Sequence, residues 1–124
     1  MENPNKPNWS ENLCRWCGYA AVIFYIEFIG TFVLVAAINA TKGEAAGIGL
    51  TLFFLLVFGA QFTGAHYNPA VTIAKFINKG FCSNPDVGHD AVIGLIMILA
   101  QVLGGICGST FIYSIVENKS MTAA

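Results

Sequence analysis

Charge is what this sequence of 124 residues has least of. Lys, Arg, Asp and Glu together make up 10% of it, against about 25% in a soluble domain. A chain this small has much surface to cover, and so few charges cannot cover it in water. Its six basic and seven acidic residues leave a net charge of −1, which gives nucleic acid no basic face to bind. Cysteine is sparse as well. Cys14-Arg-Trp-Cys17 has the spacing of a redox or metal pair. No second pair and no histidine-rich tract follows, which argues against zinc. Cys14, Cys17, Cys82 and Cys107 therefore read as ordinary thiols. There is no acid pair, no nucleophile beside a base and no phosphate loop, so nothing points to an enzyme or to a cofactor. No internal repeat and no signal-peptide cleavage pattern is present.

What the sequence has in quantity is apolar side chains, 56% of the total. They fall in three runs: residues 18–38, broken by the single charge of Glu27, residues 45–62, and residues 91–116. A helix needs about 20 apolar residues to cross a bilayer. All three runs qualify, the second narrowly, so the sequence predicts an all-α integral membrane protein with three transmembrane helices in a lipid bilayer. Residues 1–17 are expected to form a polar N-terminal tail with an interfacial turn between Trp9 and Trp16. Residues 18–116 form the membrane domain and residues 117–124 a short C-terminal tail. Gly47, Gly49, Gly94, Gly104, Gly105 and Gly108 recur at the small-residue spacing that lets membrane helices approach closely. Lys6, Arg15, Lys75 and Lys79 fall on one side of such a three-span chain, Lys42 and Lys119 on the other. That bias puts the N-terminus in the cytoplasm. Asn39 and Asn118 carry the glycosylation pattern, too close to the membrane ends for modification to be expected. His89, beside Asp86 and Asp90, is expected in a solvated loop.

The stretch FTGAHYNPAVTIAKF, residues 62–76, places helix breakers and polar groups directly after the second run. Asn68 is a strong N-cap residue, and Pro69 suits the first helical position because its missing N–H would be unpaired there. The residues from Pro69 to Lys79 give a helix of about 16 Å, half a bilayer. Two readings fit. One is a surface loop before an amphipathic interfacial helix. The other is a re-entrant half-helix, whose loop dips into the membrane and lines water. In the second, Gly64, Ala65, His66 and Tyr67 offer carbonyls to a cavity, while the half-helix dipole and the Asn68 amide oppose cations and admit neutral polar molecules.

Residues Thr63 to Thr72, read as TGAHYNPAVT, resemble the signature of the aquaporin family, the major intrinsic proteins. EFIGTFVLV at 27–35 resembles the family's first span and AQVLGGICG at 100–108 its third. Together the matches cover about residues 20 to 116. The resemblance implies the re-entrant reading, with Asn68, Pro69 and Ala70 as the pore motif. It implies that Glu27, and similarly Gln101, brace the loop. It places His66 on the cytoplasmic side of the pore, as a loop hydrogen-bonding group rather than a pH switch. It sets Ile48, twenty residues before Asn68, at the outer constriction, where an aliphatic side chain offers no donor or acceptor. Family members have six spans in two inverted halves, and this sequence carries the first half's pattern only. The expected function is a passive channel for water or small neutral solutes, completed by a second copy or a different membrane protein. The alternatives are a non-conducting structural subunit of a larger complex and a truncated fragment of a full channel.

Overall fold

The computed structural model describes residues 9–81 and 87–122. Four helices make up nearly all of it: α1 Trp9–Ala40, α2 Ala45–Thr63, α3 Pro69–Phe81 and α4 Val87–Thr122. Three of them contain stretches long and apolar enough to cross a membrane: Leu13–Ala40, Ala45–Thr63 and Ala91–Val116. The fold is thus the all-α membrane fold that the sequence predicts. The helices run past the apolar stretches at both ends. α1 begins at Trp9, so the second half of the expected tail is helical, and α4 continues to Thr122. His89 and Asp90, expected in a loop, stand on the first turn of α4. The half-helix does not stop before Gly80 but continues through it to Phe81. Residues 1–8, Cys82, Pro85 and Asp86 lie outside the described residues.

The chain is inside-out compared with a soluble domain. Its most buried side chains include Glu27, Thr72 and Gln101, while Phe53, Phe54, Val57 and Phe58 of α2 are exposed. Lipid tolerates the second group. Water could not, because so large an apolar surface would drive association. The buried polar groups must instead find partners within the chain.

Helix α1 packs most extensively on α4 and less on α2, while α3 rests on α4. Close approach of α1 and α4 depends on two glycines one turn apart. A Cβ at Gly104 would strike the carbonyl oxygen of Phe28, and one at Gly108 that of Phe32. With no Cβ at either position the backbones touch, which is how membrane helices gain packing energy where lipid offers no hydrophobic drive. Ile23 of α1 and Met97 and Ala100 of α4 are buried, and the rings of Phe32 and Phe111 meet 5.6 Å apart. Three other glycines of that small-residue pattern differ. A Cβ at Gly94 or Gly105 would make ordinary van der Waals contact, and Gly49 faces open space.

Candidate functional site: the loop between α2 and α3

Helix α2 ends at Gly64, whose φ of 78° is left-handed and whose N–H caps the Ala60 carbonyl. Glycine takes this conformation without steric cost. Ala65 and Tyr67 then adopt φ of 49° and 47°, a region that side-chain-bearing residues avoid. The chain thereby folds back. The Tyr67 hydroxyl donates to the Leu55 carbonyl at 3.0 Å, and Leu55 lies eight residues before the end of α2. That is about 12 Å along the helix, more than a tyrosine side chain can reach alone, so the loop retraces part of the second span.

Its depth is fixed by Glu27. This residue is the fifteenth of the 28 in the first span and is wholly buried. Its Oε1 accepts from the Thr63 hydroxyl at 2.6 Å and the His66 N–H at 3.1 Å. Its Oε2 accepts from the Tyr67 N–H and from Gln101 Nε2, each at 2.8 Å. Four donors on two oxygens satisfy a carboxylate in hydrocarbon, where a bare charge is costly. Gln101 passes the network on. Its Nε2 also reaches Thr72 Oγ1 at 3.0 Å, and His66 Nδ1 lies 3.0 Å from the same hydroxyl. One residue of α1, the loop, the half-helix and α4 are thus joined through a single polar cluster.

From this cluster α3 starts. Asn68 Oδ1 accepts from the Ala70 N–H at 2.9 Å, and the Asn68 carbonyl receives the Thr72 N–H at 3.1 Å. Pro69 stands at the first helical position. Asn68 is exposed. Its 13-residue helix runs about 20 Å, enough to leave a bilayer from its middle but not to cross it. Among the described residues, the carbonyls of Gly64, Ala65 and Tyr67 accept no hydrogen bond. A cleft of about 300 Å³ lies beside the loop, lined in part by Tyr19, Thr63, His66, Thr72, Lys75 and Met97. Ile48 is half-buried on α2, away from this cluster in the sequence.

The family model described as major intrinsic protein matches residues 39–124, which contain the loop and both helices that follow it. The chain belongs to the major intrinsic protein family. Among curated relatives, it is 32% identical to glycerol uptake facilitator protein-like 6 of Lactiplantibacillus plantarum, over 81% of this chain and 46% of that protein. It is 30% identical to probable aquaporin PIP2-2 of Oryza sativa subsp. japonica, over 79% of this chain and 39% of the other. It is 32% identical to aquaporin-2 of Rhizopus delemar, over 76% and 32% respectively. The chain therefore spans less than half the length of these relatives. No solved structure matches it.

Within this major intrinsic protein chain, the geometry adds residues that pattern reading passed over. Thr72 was visible only as the end of the signature, yet it bonds Gln101, His66 and the Asn68 carbonyl. Thr63 both donates to Glu27 and accepts from the Ala65 N–H. Gly30 and Gly59 receive the Tyr67 side chain. The one available signal was a threonine or glycine inside an apolar run, which by itself names no partner.

Proposed function

We propose that this chain forms half of an aquaporin-type channel, passive rather than enzymatic, for water or small neutral solutes. The observation that carries the reading is the pairing of exposed Asn68 with the unbonded carbonyls of Gly64, Ala65 and Tyr67, held at the depth of Glu27. A row of acceptors leading to an amide donor at a helix N-terminus replaces the hydrogen bonds that a water molecule leaves behind. The positive end of α3 repels cations. Irregular backbone at this depth is stable only against protein or water. In this reading, Gly64 to Tyr67 line the path, Asn68, Pro69 and Ala70 mark its narrow centre, and Glu27 and Gln101 brace the loop. Ile48 gives the constriction an apolar wall, which favours a solute with a carbon skeleton over water alone.

Half a pore needs a complement. The exposed face of α2 and the exposed Asn68 at the head of α3 are where a second half would pack. We assign that place to a second half, carried by a further stretch of the same protein, by a second copy or by a different membrane protein, with the N-terminus in the cytoplasm. The test is water flux in proteoliposomes combined with cross-linking between cysteines placed at Asn68. Flux together with cross-linking supports a pore built from two copies. Stable association with another subunit and no flux supports a structural role instead. A stable, non-conducting monomer overturns the channel reading for this chain.

A further inference from the structure

Tyr67 stands where the loop, α1 and α2 meet. Only 4% of it is exposed. Its N–H is held by Glu27 of α1 and its hydroxyl by the Leu55 carbonyl of α2. Two glycines make the slot it fills. A Cβ at Gly30 would collide with the ring, and a Cβ at Gly59 with the hydroxyl. Gly59 is placed four residues after Leu55, so its own N–H is the helical partner of that carbonyl. The absent Cβ is what lets a second donor reach the same oxygen. Tyr67 does this from a left-handed φ of 47°, which a residue with a side chain adopts only when its surroundings hold it. The next residue is Asn68.

We propose that Tyr67 is a positioning residue. Its ring, keyed between Gly30 and Gly59, sets the depth and direction in which Asn68 presents its amide at the head of α3. Glu27 holds the backbone of the loop against α1. The Tyr67 hydroxyl is what ties the loop to the interior of α2, so a tilt of α2 carries Asn68 with it. The inference rests on the channel reading only for what Asn68 does; the positioning itself is a matter of geometry.

The side-chain slot and the backbone strain predict opposite responses to glycine. Were Tyr67 a strained filler, Tyr67→Gly would relax the loop. As a key in a slot, it makes Tyr67→Gly loosen the loop about as much as Tyr67→Leu does. The experiment uses the full chain in lipid nanodiscs. It reads the Asn68 side-chain amide resonance and the hydrogen exchange of the His66 and Ala70 amides. Tyr67→Leu is expected to move the Asn68 resonance and to raise both exchange rates about fivefold, the effect of losing one net hydrogen bond. Tyr67→Phe keeps the ring but loses the hydroxyl's bond to Leu55, so it moves the Asn68 resonance less than Tyr67→Leu does and still raises the exchange rates. Gly59→Ala moves the Asn68 resonance in the wild type and adds nothing in the Tyr67→Leu background. If the Leu variant does not fold, the same comparison is made with Tyr67→Phe, in which Gly59→Ala has the smaller effect. An unmoved Asn68 resonance, strict additivity of the two substitutions, or a tighter loop in Tyr67→Gly overturns the proposal. Flux is measured on the same preparations. A wild type that conducts nothing but shows the expected Asn68 pattern defeats the channel reading and supports the positioning.

Discussion

Gln101 and Glu27 meet through a hydrogen bond of 2.8 Å across 74 positions of the chain, each near the middle of its own span. Glu27 has no spare oxygen, since all four of its bonds are made to donors. Glu27→Leu leaves those donors buried and unpaired, at about 1–3 kcal/mol each. Glu27→Gln falls between, because its amide group turns a donor toward one pair of donors while its oxygen serves the other. The expected order of thermal stability in detergent is wild type, then Gln, then Leu. Equal melting temperatures for the wild type and the Leu variant exclude the bracing role.

Asn68 closes the first turn of α3 through its Oδ1 on the Ala70 N–H. Asn68→Ala removes that cap, worth about 0.5–2 kcal/mol. Exchange at the Ala70 amide should rise, with the amides of α1 unchanged. A uniform rise throughout the chain instead means that the loss is global and not at the cap.

Neighbouring glycines of α4 predict opposite signs. A Cβ at Gly104 runs into the Phe28 carbonyl, whereas one at Gly105 makes ordinary contact with Val35. Gly104→Ala therefore separates α1 from α4 and costs about 1–3 kcal/mol, as overpacking does. Gly105→Ala gains up to about 1 kcal/mol of helix propensity. Chemical denaturation of the two variants, with a distance label across the seam, measures both. A stabilising Gly104→Ala is incompatible with backbone contact there.

Thr31 is 5% exposed, and its hydroxyl has no hydrogen-bond partner among the described residues. Replacing an unsatisfied buried hydroxyl by a methyl group of the same shape is neutral or favourable. Thr31→Val should melt at or above the wild-type temperature. A clear loss of stability reveals a partner for the hydroxyl.

The three spans were legible because length and hydropathy are local properties, and their edges fall within a few residues of the apolar runs. The start of α3 was legible too, since Asn68 and Pro69 act on their own backbone. Less could be read of what holds the loop. Thr72 and Tyr67 acquire their partners from helices many residues away, and no spacing within the chain encodes a slot shared by Gly30 and Gly59. The glycine pattern was half informative. Small-residue spacing marked Gly104 and Gly108, which touch α1, but equally Gly49, which touches nothing. A glycine declares that close approach is possible, and only its neighbour decides whether it happens. The helices reach past the apolar runs for a related reason. Polar residues beside an apolar run extend its helix when nothing breaks it, and no breaker lies between Trp9 and the first span.

The four-donor shell of Glu27 also has an order in time. Ribosomes deliver the carboxylate first, His66 and Tyr67 follow 39 and 40 residues later, and Gln101 comes 74 residues later. At about 5–20 residues per second, the last donor trails by roughly 4–15 s. Until the loop follows, the nascent first helix carries an unmet acid. The insertion machinery or water must shield it until the loop arrives, and the shell closes only when the third span brings its glutamine.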